Sequence, residues 1–336
     1  MFNQLSNTTY DQSDLFGDIH SLSYYDSIEL QQRTYYSPEF LNYMETHCGS
    51  TWGPRWVNLE DRGGFAKLWI HQPSRKAIEY LRGHHCRVTR VHVALDVMPG
   101  SKIAAKALQE QLARTFVLSN LPYDEVRWVR NEDRPLGDST CYFGYSRPWG
   151  PGKTAALYAD RLSKVAKRPC CHLEVRVALN RALNAYSLRT PDELLILDHR
   201  KFWERRLTLL EPPKVDVLGG AWARQFLRRR TLGSRRWPYG GRAAAILRTG
   251  TLLLRAAQGR DGNTNVNDLL YFLRSTGVLG ERKITQLFQP VDASWLLPSS
   301  ANAMWASAKD HMNQHVSDGE GAPSHLSSFS KWEIPY

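Results

Sequence analysis

Cysteine is scarce in this chain and carries no pattern: five residues in 336, Cys48, Cys86, Cys141, Cys170 and Cys171, with no CxxC pair among them. That excludes the usual zinc spacings, and the odd count argues against a disulfide framework. No apolar run approaches the roughly 18–20 residues that cross a bilayer. The opening MFNQLSNTTYDQSD also lacks the basic-then-apolar order of a secretory leader. A soluble, cytoplasmic protein with no membrane partner is expected. A GPGK stretch at 150–153 falls short of a phosphate loop because position 147 is Arg, so no ATPase is expected.

Acidic residues are the other scarcity, and a local one. The chain carries a net charge of +11. From Arg200 to Arg260 fifteen Lys or Arg face only Glu204, Glu211 and Asp216, which leaves the rest of the chain close to neutral. A cationic field confined to one stretch suits a polyanion, because neutralising phosphates releases condensed counterions. Nucleic acid is therefore the expected partner. Arg228, Arg229, Arg230, Arg235 and Arg236 are the expected phosphate contacts of that stretch.

The segments between divide by pattern. Residues 1–60 are polar and aromatic-rich and read as an N-terminal segment, with a short helix after Ser37-Pro38. FAKLWI at 65–70 reads as a strand, and Ser74 caps a helix ending at Gly83. Val88–Val97 reads as a strand broken by Pro99-Gly100, and Ser101 caps a helix over 101–117. Three alternating segments follow, Thr140–Tyr145, Thr154–Tyr158 and His172–Leu179. Helical patterns run over 192–210, 219–231, 241–257, 265–276 and 280–289, the first opened by Thr190-Pro191. The expected divisions are residues 1–60, an α+β domain at 61–210, a basic helical DNA-binding region at 211–297 and a flexible tail at 298–336. The α+β part reads as an antiparallel, palm-like, split βαβ sheet backed by helices on one face.

The other face of that sheet carries the chemistry. Residues two apart on a strand share a side, so Arg90, His92, Ala94 and Asp96 project together, as do His172, Glu174 and Arg176. Carboxylates, imidazoles and guanidinia on one face point to a site, and Tyr158 lies among those strands.

RVHVALDV with its following helix, then TCYFGYSR, ALYADR and HLEVRVALNRA, together resemble the replication initiation factor (Rep_trans) family over about residues 60–210. That family includes rolling-circle initiators of plasmids and filamentous phages and related conjugative relaxases. The chain departs from the family pattern at three places. His92 stands at its first acid, Ala159, Asp160 and Arg161 follow the tyrosine in place of a Lys, and His172 stands where an Arg precedes Glu174. The resemblance implies that Tyr158 attacks a phosphodiester, leaving a 5′-phosphotyrosyl link and a free 3′-OH. A tyrosine with an ordinary pKa of about 10 needs help. Asp96, Glu174, His92 and His172 are the expected ligands of Mg²⁺ or Mn²⁺. Arg90 and Arg176 are expected to stabilise charge at the reacting phosphate, and Arg147, Lys153, Arg161 and Lys164 to contact DNA. The implied partners are an origin that is single-stranded or hairpinned at the nick, a host helicase and a polymerase, with room for a homodimer. A conjugative relaxase and a non-catalytic nucleic-acid-binding protein are the alternatives.

Overall fold

The computed structural model describes residues 18–59, 63–118, 126–131, 138–144, 153–211 and 286–305, together with Val266, Leu269, Leu270, Arg274 and Arg282. Its centre is an antiparallel sheet of eight strands: β1 His20–Gln32, β2 Cys48–Leu59, β3 Gly63–Pro73, β4 Arg87–Met98, β6 Val126–Asn131, β7 Asp138–Phe143, β8 Lys153–Tyr158 and β9 Cys171–Ala178. They lie in the order β2-β3-β1-β4-β9-β8-β7-β6. A second sheet joins β5 Phe116–Leu118, β10 Leu207–Glu211 and β11 Gln289–Val291, with β10 in the middle. The expected α+β class, an antiparallel sheet backed by helices, is what the molecule has.

Alternation sorts the large sheet into two faces. On β4 Val91, Val93, Leu95 and Val97 are buried on one side, and on β9 Leu173, Val175 and Val177 join them. Helices cover this side: α1 Pro38–His47, α2 Arg75–Leu81, α3 Lys102–Thr115, α4 Asn180–Ala185, α5 Pro191–Ile196 and α6 His199–Glu204. Their starts follow the sequence reading. The hydroxyls of Ser37, Ser74 and Ser101 accept from the amides of Phe40, Ala77 and Ala104, relieving donors that have no partner in a first turn. Thr190 and Glu193 form a complete capping box. Gln109 on α3 ties that helix to the sheet, its Nε2 donating to the carbonyls of Ser139 at 2.7 Å and Leu157 at 3.2 Å.

Two stretches differ from the sequence reading. Residues 20–32 and 48–59, from the segment expected to stand apart as 1–60, are strands of the main sheet, and β1 lies between β3 and β4. The helix expected over 192–210 is two short helices followed by β10, which pairs with β5 and β11. Val266, Leu269, Leu270 and Arg274 are helical, as read, and the three apolar ones pack with Phe288 beside the second sheet. The helices expected at 219–231 and 241–257 and most of the tail lie outside the described residues.

Candidate active site

The face away from the helices is built by register. Across β4 and β9 His92 faces Arg176, Ala94 faces Glu174 and Asp96 faces His172; across β8 and β9 Tyr158 faces His172. Directly opposed residues share a face, so strands distant in sequence assemble one polar surface. β1 adds to it through an irregularity. The pairing with β4 shifts between Tyr25 and Ser27, and Asp26 is the extra residue. Such bulges re-aim a side chain at the expense of one ladder position.

Asp26, His92 and Glu174 each place a ligand-type atom within 4.8 Å of the other two. His92 Nδ1 lies 2.5 Å from Glu174 Oε1 and 2.8 Å from Ser27 Oγ. Its Nε2 is buried and, among the described residues, has no hydrogen-bond partner. Glu174 also takes two bonds from Arg176, at 3.1 Å from Nε and 3.2 Å from Nη2. Asp26 accepts from Lys164 Nζ at 2.6 Å and from Gln72 Nε2 at 3.2 Å. Two carboxylates and an imidazole gathered in this way are a donor set that fits a divalent ion.

Asp96 and His172 do something else. Asp96 is fully buried, and its two oxygens take His172 Nδ1 at 2.5 Å and the Tyr24 hydroxyl at 3.1 Å. Of the four expected ligands, therefore, His92 and Glu174 meet Asp26, while Asp96 and His172 hold each other. Burial alone would lower the His172 pKa, but the charge and hydrogen bond of Asp96 outweigh it and lift it to about 9. His92 goes the other way, its burial outweighing the pull of Glu174 and lowering its pKa below the ordinary imidazole value. Burial would raise the Glu174 carboxyl. Arg176, then the neighbouring imidazoles of His172 and His92, hold it well below the usual range instead.

The Tyr158 ring stacks on His172 at 4.5 Å between centroids, and the Arg161 guanidinium lies 5.7 Å from the tyrosine ring. Burial first, then the charges of Glu174, Asp26 and Asp96, raise the phenol's pKa well above its ordinary value, with Arg161 opposing them. The connection from Tyr158 to β9 folds back over this face. It seats Val165 against Tyr24 and Ala94 and delivers Lys164 to Asp26. Lys164, expected on DNA, thus points inward, whereas Arg161 is exposed. Arg90 leans over the Trp69 ring at 5.4 Å and Arg176 over Tyr142 at 5.7 Å.

Arg147, Arg228, Arg229, Arg230, Arg235 and Arg236 lie outside the described residues, and of Lys153 only its place at the start of β8 is described. Asp26 is the residue that sequence reasoning missed. Its one local signal is a carboxylate inside SYYDSIEL, where aromatic and branched residues on both sides favour a strand.

No family model matches the chain, and no curated protein matches it. Among solved structures, the rolling circle replication initiator protein of Geobacillus stearothermophilus is similar, at 13% identity over 70% of this chain and 97% of that one, with a TM-score of 0.36. A likeness of that size says nothing about chemistry, and the functional reading rests on the side chains themselves.

Proposed function

We propose that this chain nicks one strand of DNA through Tyr158 with the help of a divalent ion, and so initiates rolling-circle replication of a plasmid or phage. The observation that carries the reading is the meeting of Asp26, His92 and Glu174 on the face that also presents the Tyr158 ring, two strands from His92. A divalent ion at that triad, Mg²⁺ or Mn²⁺, would supply positive charge to polarise a phosphodiester and to offset the carboxylates that raise the phenol's pKa. His172 holds the Tyr158 ring in place by stacking, and Asp96 fixes His172 in turn. Arg161, exposed beside the ring, and Arg176, a third exposed at its side chain, are placed to meet phosphate oxygens.

In the reaction the phenolic oxygen bonds to phosphorus as the bond from phosphorus to the 3′ oxygen breaks. The phenol gives up its proton and the departing 3′ oxygen takes one up. One phosphodiester replaces another, so resealing needs no nucleotide cofactor. The free 3′-OH then primes a polymerase. The chain shows no phosphate loop, so a host helicase is the expected source of unwinding. A relaxase serving conjugation would use the same chemistry.

One observation favours a second reading. The carboxylates of Asp26, Asp96 and Glu174 already face Lys164, His172 and Arg176. A non-catalytic nucleic-acid-binding protein would use that network only to hold its sheet. A denaturing gel of full-length protein with labelled single-stranded DNA from the element's own origin, in Mn²⁺ and in EDTA, separates the two. The nickase gives a metal-dependent covalent adduct that disappears in Tyr158→Phe and in Asp26→Asn. Cleavage that persists in Tyr158→Phe moves the nucleophile elsewhere, and binding without cleavage favours the second reading.

A further inference from the structure

Trp52 is 59% exposed on β2, an edge strand of the main sheet. Among the described residues it has no ring contact, whereas the other exposed aromatic side chain, Tyr35, stacks on Trp56 at 4.6 Å. Its cross-strand partner is Trp69 on β3, so the two indoles share a face. That face is the one bearing the triad, because the Trp69 ring meets the His92 ring edge-on at 5.3 Å. Beyond Trp52 the register shifts before Arg55, and Gly53 takes φ 102, a conformation suited to glycine. After that shift Arg55 pairs with Lys67 on the same face.

A line of rings therefore runs across the sheet: Trp52, Trp69, His92, then His172 and Tyr158 beyond Glu174. From β3 to β8 it crosses four strand spacings, about 19 Å at 4.7–4.9 Å each, and it climbs from the level of Arg90 to that of Asp96, about 20 Å along β4. Cations flank its outer half. Lys67 is paired to Glu29 at 3.2 Å, but Arg90 has no ion pair among the described residues and its guanidinium rests on Trp69. The outer part of this line, with Trp52 exposed, Trp69 half-buried and Arg90 between the rings and the triad, matches a chain of bases joined by phosphates. A duplex offers them no ring faces.

We propose that Trp52 and Trp69, with Arg90, form a stacking rail for the bases of single-stranded DNA, holding the strand on the side of the triad opposite Tyr158. The proposal rests on the nickase reading for the identity of the strand, but its test does not. Bases stack on indoles whatever their identity, and a guanidinium beside them neutralises the linking phosphates. A strand held on one side of the triad by the rail and on the other by Tyr158 and Arg161 lies across the triad between them.

The test is fluorescence anisotropy of the full-length protein with labelled single strands, in EDTA so that neither metal nor cleavage contributes. Trp52→Ala and Trp69→Ala each weaken binding about tenfold, and Trp52→Phe recovers most of the loss. An oligonucleotide with abasic positions loses affinity for the wild type but no further affinity for the double variant Trp52→Ala, Trp69→Ala. Duplex affinity is unchanged by Trp52→Ala, and since that indole is exposed the variant keeps the wild-type melting temperature. Single-strand affinity unchanged in Trp52→Ala, as a peptide-binding face would give, overturns the rail. So does an abasic strand that binds the wild type normally. The adduct gel is scored separately. Intact cleavage with unaltered affinities sinks the rail alone, and lost affinities without any adduct in the wild type sink the nickase alone.

Discussion

His199, on the helix-covered face, shows how much a single buried ring can settle. The Ser23 hydroxyl donates its one proton to the Ala94 carbonyl at 2.9 Å and accepts from Trp203 Nε1 at 2.8 Å. His199 Nδ1, 2.6 Å from the same oxygen, must therefore be the donor, which leaves Nε2 bare and buried, with no partner among the described residues. Burial pushes this imidazole's pKa down to about 3, so the folded state resists a proton that the unfolded chain accepts near 6.5. The stability it contributes is whole above about pH 6.5 and drains away as pH falls toward 3, by about 1.4 kcal/mol per unit. Melting temperatures of the wild type and His199→Gln at pH 7 and pH 5 should converge, because only the wild type carries this slope. Parallel curves would place the acid sensitivity elsewhere. Lys164 allows a second forecast at this scale. Its ammonium holds Asp26, and its side chain is a third exposed. Lys164→Met should therefore lower stability by only about 1–2 kcal/mol without metal, less than a fully buried pair would lose. It also removes a cation competing for Asp26, so added Mn²⁺ should raise the variant's melting temperature more than the wild type's. Equal shifts would mean that Asp26 is not a ligand.

Among the elements, helix α3 owes its start to one hydroxyl: Ser101 accepts from the Ala104 amide at 3.1 Å. Ser101→Ala should cost about 1 kcal/mol in chemical unfolding, with an unchanged denaturant slope. Such caps were legible because cap, helix and apolar spacing are all local; β4 and β9 were legible for the same reason, through strict alternation. β1 was not. Its sequence, HSLSYYDSIELQQ, reads as polar, yet Ser21, Ser23, Asp26, Ser27 and Glu29 are all buried. Four of these side chains are satisfied by His199, Lys164, His92 and Thr89, which lie 60 to 176 residues away. Nothing in a window around β1 announces those partners, and buried polar groups are tolerable only with them. The same argument explains Asp26, which reaches the site through a bulge that pairing with β4 creates. β10 was hidden differently. Its apolar residues continue the spacing of α6, and only β5 and β11, each three residues long, make it a strand.

For the whole molecule, the electrostatic and aromatic parts of the proposed DNA binding ought to come apart. The sheet face offers rings with a few cations, while the basic surplus lies between residues 200 and 260, in a stretch mostly outside the described residues. Counterion release makes each neutralised phosphate worth a slope of about 0.9 in log affinity against log salt on duplex DNA, and stacking contributes almost none. Replacing Arg228, Arg229, Arg230, Arg235 and Arg236 with Gln should therefore weaken duplex binding irrespective of sequence and reduce that slope by about 0.9 for every phosphate no longer neutralised. Trp52→Ala should weaken single-strand binding at every salt concentration and leave the slope alone. Anisotropy titrations over a range of NaCl concentrations, on matched single-stranded and duplex oligonucleotides, measure both. If the five-arginine variant keeps the wild-type slope on duplex DNA, those five arginines are a solvated surface, and the neutralised phosphates lie against other cations.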